Sequence, residues 1–92
     1  MSEIKYPCPC CGNLTLPERA GGTYEICPVC LWEDDPVQLR DETYEGGANR
    51  VSLKQARKNY AEFGACEESL KDHVREPLPE EQEGAESHEG TI

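Results

Sequence analysis

The clearest apolar periodicity in the chain is helical. Leu53, Ala56, Tyr60 and Phe63 recur three or four residues apart and fall on one face of an α-helix. Ser52 precedes them as a natural N-cap, and Gln55, three residues on, completes a capping box. Val51 stands before the cap, where it can pack on Ala56, and Gly64 supplies the stop. A helix over Leu53–Phe63 is predicted. Cys66, Leu70 and Val74, at i, i+4 and i+8, predict a second short helix ending before Pro77.

Upstream the period drops to two. Leu14-Thr15-Leu16 and Thr23-Tyr24-Glu25-Ile26 alternate and read as short strands, joined by the Gly-rich loop Pro17–Gly22 into a hairpin. Trp32 is expected to be a major packing element, covering the metal site or that hairpin. Glu33-Asp34-Asp35, before Pro36, reads as a solvated acidic turn, with a second metal site as the weaker alternative. Val37–Asn49 has no clear period, contains Gly46-Gly47, and reads as a loop or weak β-excursion. From Glu76 onward Pro, Glu, Gly and Ser prevail, which predicts a disordered tail. The chain thus divides into a folded domain, 1–75, and an acidic tail, 76–92.

Composition sharpens this picture. A chain of 92 residues builds only a marginal core, and small domains usually need a metal or disulfides as a staple. No stretch approaches the ~20 apolar residues of a membrane span, and Met1–Tyr6 has no apolar run of signal length. A cytoplasmic protein is expected. The net charge is −10, and it is unevenly spread. Residues 1–75 carry thirteen acids against nine bases, whereas 76–92 carry six Glu and no Lys or Arg. This balance argues against nonspecific nucleic-acid binding, which rests on neutralising phosphates, and against docking on anionic membranes.

The chemistry lies in the cysteines. Cys8-Pro9-Cys10-Cys11-Gly12 and Cys27-Pro28-Val29-Cys30 give the pattern C-x2-C-x15-C-x2-C, the spacing of a four-cysteine metal site. Each C-x-x-C turn brings two sulfurs to one point, and a second turn closes a tetrahedron around a zinc ion. Aligning the turns sets Pro9 against Pro28, Cys10 against Val29 and Gly12 against Leu31. The ligands are therefore Cys8, Cys11, Cys27 and Cys30. Gly12 suits the positive φ of a tight turn, and Leu31 makes the second turn less ideal. Disulfides are the bland alternative, but paired C-x-x-C motifs inside a cell favour metal. Zn2+ comes first, and iron is the alternative because tetrahedral all-sulfur sites suit both. The expected fold is a small metal-stabilised α+β domain, with zinc-ribbon or rubredoxin-like knuckles on a β-hairpin, one packed α-helix and a disordered acidic tail.

Several segments together resemble a known family. They are Cys8-Pro9-Cys10-Cys11-Gly12, Tyr24-Glu25-Ile26-Cys27-Pro28-Val29-Cys30, Trp32-Glu33-Asp34-Asp35 and Gly46-Gly47-Ala48-Asn49. Ser52-Leu53, Ala56-Arg57, Asn59-Tyr60, Phe63 and Gly64 continue the likeness. Over roughly Tyr6–Gly64 the chain resembles the bacterial cysteine-rich CPCC family. The resemblance implies a small bacterial protein with a zinc-ribbon-like site and supplies no activity. Its emphasis on three cysteines in the first turn keeps a role for Cys10 open.

Three functions compete. The first is a structural zinc module binding another protein, through the Glu33–Asp35 turn and the Val37–Asn49 loop. The second is nucleic-acid binding through Arg50, Lys54, Arg57 and Lys58, which the net charge opposes; the default reading of these residues is a solvated helix face. The third is thiol redox or sensing chemistry at Cys10, which needs exposure and a depressed pKa. Catalysis ranks last, because four cysteines close the coordination shell. Cys66 reads as a buried small hydrophobe and His73 as a surface or capping residue; His88, the other histidine, falls in the tail.

Overall fold

Tyr6–Pro7 (β1) pairs antiparallel with Leu14–Leu16 (β2), and the first cysteine turn forms the tip between them. This computed structural model describes residues 4–86. Cys8 N donates to Asn13 O at 2.9 Å and Gly12 N to Cys8 O at 2.8 Å, which closes the turn on itself. The second turn repeats these bonds, with Cys27 N to Trp32 O at 2.9 Å and Leu31 N to Cys27 O at 2.8 Å. Its flanks meet in a single bridge between Ile26 and Glu33.

The hairpin expected between Leu14–Leu16 and Thr23–Ile26 is therefore corrected. Each cysteine turn pulls together its own two flanks, so Leu14–Leu16 pairs across the first turn with Tyr6–Pro7, and Ile26 bridges across the second to Glu33. Alternation identified Leu14–Leu16 as a strand, but Thr23–Ile26 is not one, because Tyr24 takes φ +57° and only Ile26 makes a bridge; alternation also carries no information about partners. Between Tyr6↔Leu16 and Pro7↔Leu14 the register slips by one residue, leaving Thr15 as the extra residue of a β-bulge.

The acidic turn is corrected too. Asp34 is fully buried and Asp35 nearly so. Asp34 Oδ2 accepts from the backbone N–H groups of Gly21, Gly22 and Thr23 at 2.9–3.1 Å, and from Thr23 Oγ1 at 2.9 Å. Asp35 caps a short helix, Pro36–Arg40 (α1), accepting from Val37 N and Gln38 N, while its other oxygen takes Ala48 N. Buried carboxylates persist here because hydrogen bonds replace the water they lose. The aperiodic segment behind them is ordered by Gln38, also fully buried, whose amide nitrogen lies 3.0 Å from the carbonyls of Tyr44, Asn49 and Val51.

Leu53–Phe63 (α2) has the predicted bounds. Ser52 Oγ accepts from Gln55 N, and Gly64 takes φ +77° at the C-terminus. Gln55 does not reach back to the cap; its side chain donates to Asn59 instead. Leu53 and Ala56 are buried in the core with Trp32, Val29 and the cysteines, and Tyr60 packs against it. The second predicted helix shrinks to a 3-10 turn, Glu68–Leu70, after Cys66 N is drawn to Cys30 O at 2.9 Å.

Part of the expected tail is helical: Pro79–Glu86 (α3). Pro79 suits the first helical position, and Glu80 and Glu81 suit the first turn. Glu81 accepts a two-pronged pair from Arg75 at 2.8 and 3.0 Å and takes Leu78 N at 2.8 Å. Composition weighs charge but misses such a local cap. The remainder of the expected tail, 87–92, lies outside the described residues. No described helix is long and apolar enough to cross a membrane.

Candidate metal centre

The sulfurs of Cys8, Cys11, Cys27 and Cys30 all lie within 4.8 Å of one another. Cys8 Sγ sits 3.6 Å from Cys30 Sγ, and Cys11 Sγ 3.7 Å from Cys27 Sγ. A tetrahedron with Zn–S bonds of ~2.3 Å has edges of about 3.8 Å, so these separations fit one ion at the centre. They are far longer than the ~2.05 Å of a disulfide, and all six cysteines are free thiols. Four cysteines are thus positioned to bind a metal ion. Among the described residues this is the one group of His, Cys, Asp or Glu so arranged. Glu33, Asp34 and Asp35 do not form another.

The backbone explains how two short turns converge. Gly12 has φ +80° and Leu31 φ +71°, so both turns take the same left-handed residue at the same place. Leu31 adopts the geometry that glycine gives the first turn, and its side chain packs against the core. The two turns share one core cluster with Trp32, which is almost completely buried. Among the described residues the Trp32 Nε1 donor has no partner.

Crowding four thiols together drives their affinities for protons apart. Cys8 is pushed above the ordinary thiol value, first through its contact with Cys11, and Cys30 likewise, first through Cys10. Cys27 is pulled below it, first by Cys11 and then by Cys30 and Cys8, with Thr15 adding to the effect. Uncompensated thiolates at this spacing repel one another, and a divalent cation relieves that repulsion.

Thr15 is the neighbour of the sulfur cluster that sequence reasoning missed. Its hydroxyl donates to Cys27 Sγ at 3.0 Å from the strand of the opposite turn. Read as a strand residue between two leucines it carried no such signal, because the bulge that re-aims it follows from pairing.

The other candidates are placed less centrally. Cys10 and Cys66 are buried in the same core cluster, and burial pushes the Cys66 thiol up to about 12. Neither has the exposure of a reactive thiol. His73 is exposed, and His88 lies outside the described residues. Half of the basic face is committed to the protein itself. Arg50 pairs with Glu67, and Arg57 donates to Glu42 at 2.8 Å and to Pro9 O, inside the first cysteine turn, at 2.9 Å. Lys54 and Lys58 are exposed.

Residues 6–81 match the model of a family described as Cysteine-rich CPCC. Comparison with curated proteins finds no match.

Proposed function

The chain belongs to the cysteine-rich CPCC family, and on that premise we propose that it is a structural zinc-binding module of the cytoplasm that presents a surface to another protein. One observation carries the metal part: four sulfurs within 4.8 Å of one another, two pairs of them 3.6 and 3.7 Å apart, with three of the four cysteines buried. A closed shell of four cysteines leaves no position for a substrate or an activated water, which supports a structural ion over a catalytic one. Zinc is the ion of choice because such a site offers only soft donors and needs no redox change, with iron the alternative for the same donor set.

The interaction part is supported by exposed large apolar and aromatic side chains on the surface of an acidic chain. Tyr24, Ile26 and Tyr44 are each about half exposed. Exposed aromatic and aliphatic side chains are the usual anchors of protein interfaces. The surface differs from the one read from sequence, since Asp34 and Asp35 are internal and the exposed acids of that region are Asp41, Glu42 and Glu45.

Intact mass under native and then denaturing conditions tests the metal part. One zinc with four protons displaced supports it. A mass short by paired hydrogens, meaning disulfides, overturns it, and a visible absorption band with one iron replaces zinc by iron. For the interaction part, a purified partner should bind the metal-loaded protein and lose affinity when Tyr44 is replaced by Ala. Binding that ignores both metal removal and every exposed-residue variant would count against it.

A further inference from the structure

We propose that Thr15 is a positioning residue of the metal centre: its hydroxyl holds the Cys27 sulfur in place and disperses the charge of its thiolate. The inference deepens the metal reading above and rests on it.

The first observation is the bond itself. Thr15 Oγ1 lies 3.0 Å from Cys27 Sγ, and the hydroxyl is buried, so it has no competing access to bulk water. Among the described residues no other hydroxyl or amide side chain bonds to a sulfur of the quartet. The second observation is the register. β2 carries one residue more than β1 needs, and that residue is Thr15. In a regular strand neighbouring side chains point to opposite faces, yet Thr15 and Leu16 are both buried. Thr15 N also folds back to Asn13 O at 2.9 Å. Bulges beside functional sites re-aim a side chain, and here the re-aimed group meets a ligand atom. The third observation is topology. The hydroxyl comes from the hairpin of the first turn and the sulfur from the second, so this bond links the two halves that must converge on one ion.

A hydrogen bond to a metal-bound thiolate lowers the charge the ion must balance and fixes the sulfur's direction. Groups that support ligands in this way typically change metal affinity 10–100-fold when removed. The competing view is that Thr15 is a β-branched filler whose hydroxyl merely needs a partner. Thr15→Val separates the two, because valine keeps the shape and loses only the donor. A filler role leaves zinc affinity unchanged.

The experiment is competition for zinc between the full chain and a chromophoric chelator, for wild type, Thr15→Val and Thr15→Ser. The expected result is about tenfold weaker zinc binding in Thr15→Val, with Thr15→Ser close to wild type. The cobalt(II)-loaded proteins give a second readout. The sulfur-to-cobalt charge-transfer band should move to lower energy in Thr15→Val and stay in place in Thr15→Ser, since an unbonded thiolate gives up its electron more easily. Should Thr15→Val fail to fold, Thr15→Ser against Thr15→Ala isolates the hydroxyl with the methyl absent from both. Equal zinc affinity across the hydroxyl-bearing and hydroxyl-free variants overturns the proposal. Wild type that binds neither zinc nor cobalt overturns the metal reading itself, a distinct outcome.

Discussion

Replacing Asp34 by Ala should strongly destabilise this protein, although no ligand is lost. Asp34 is fully buried. Its carboxylate receives three backbone N–H groups and one hydroxyl, all from residues 21–23. Hydrogen bonds to a charged group contribute about 1.5–3 kcal/mol each. Gly21 is exposed, so its N–H regains water when the carboxylate goes. Counting only the backbone N–H groups of the half-buried Gly22 and Thr23, the loss is about 3–6 kcal/mol, a large fraction of the ~5–15 kcal/mol that holds a domain together. A solvated acidic turn would instead change stability by less than ~0.5 kcal/mol.

Urea unfolding at fixed excess zinc, followed by Trp32 emission, distinguishes the two. A midpoint shift worth under ~0.5 kcal/mol would refute the reasoning. The pH dependence gives a second check. Although burial acts to raise its pKa, the bonds from Thr23, Gly21 and Gly22 prevail and hold the Asp34 carboxyl below the usual carboxylate value. A depressed folded value means that Asp34 contributes stability above the unfolded pKa of ~3.9, and that this is lost as pH falls through the lower folded value. Wild type should therefore lose more stability than Asp34→Asn between about pH 5 and pH 2.

Gly12→Ala should weaken zinc binding: a Cβ there meets no atom within 4 Å, so its cost is the φ of +80° alone, about 1–2 kcal/mol or roughly 5–30-fold in affinity, read by chelator competition. Gly47→Ala should cost about 1–3 kcal/mol by overpacking, because its Cβ would sit 2.7 Å from Asp35 Oδ2 and 2.9 Å from Gln38 Cδ; an unchanged urea midpoint would refute the close approach. Removing the ion with EDTA should abolish cooperative unfolding and shift Trp32 emission to the red, since the buried indole packs with the cysteines. Native-like emission after chelation would show that the core stands without metal.

What the sequence made legible is what depends on near neighbours. The bounds of α2 follow from Ser52, from the apolar spacing and from Gly64, all inside the helix or one residue beyond it. The convergence of Cys8, Cys11, Cys27 and Cys30 follows from a spacing rule that encodes turn geometry. What escaped it depends on who meets whom across the fold. Leu14–Leu16 was recognisable as extended, but its pairing with Tyr6–Pro7 is set by the bonds that close the first turn. Asp34 read as surface charge because its donors, at 21–23, are distant in sequence, and so is the Ala48 N–H that takes the second oxygen of Asp35; the Asp35 cap on Val37 and Gln38 is local and was overlooked. Thr15 was invisible as a partner of Cys27 for the same reason.

Leu31 shows how the two levels combine. Sequence alone marks it as less ideal than glycine for the place that Gly12 fills in the first turn. The structure gives it the same left-handed backbone, at φ +71°, with the side chain packed against the core. That conformation costs a non-glycine residue about 1–2 kcal/mol, while burying a leucine fully contributes about 1.5–3 kcal/mol. Half-burial therefore offsets the strain to within about 1 kcal/mol, and the turn keeps its shape without glycine. The two cysteine turns are equal in backbone and unequal in support. The first is free of strain at Gly12 and is held from outside by Arg57 on Pro9 O. The second is strained at Leu31, and it receives Trp32, the Cys66 N–H on Cys30 O and the Thr15 hydroxyl on Cys27. The reinforcement gathers on the turn whose backbone is less favourable, so the site's resistance to metal loss should depend more on the contacts of the second turn than on the first.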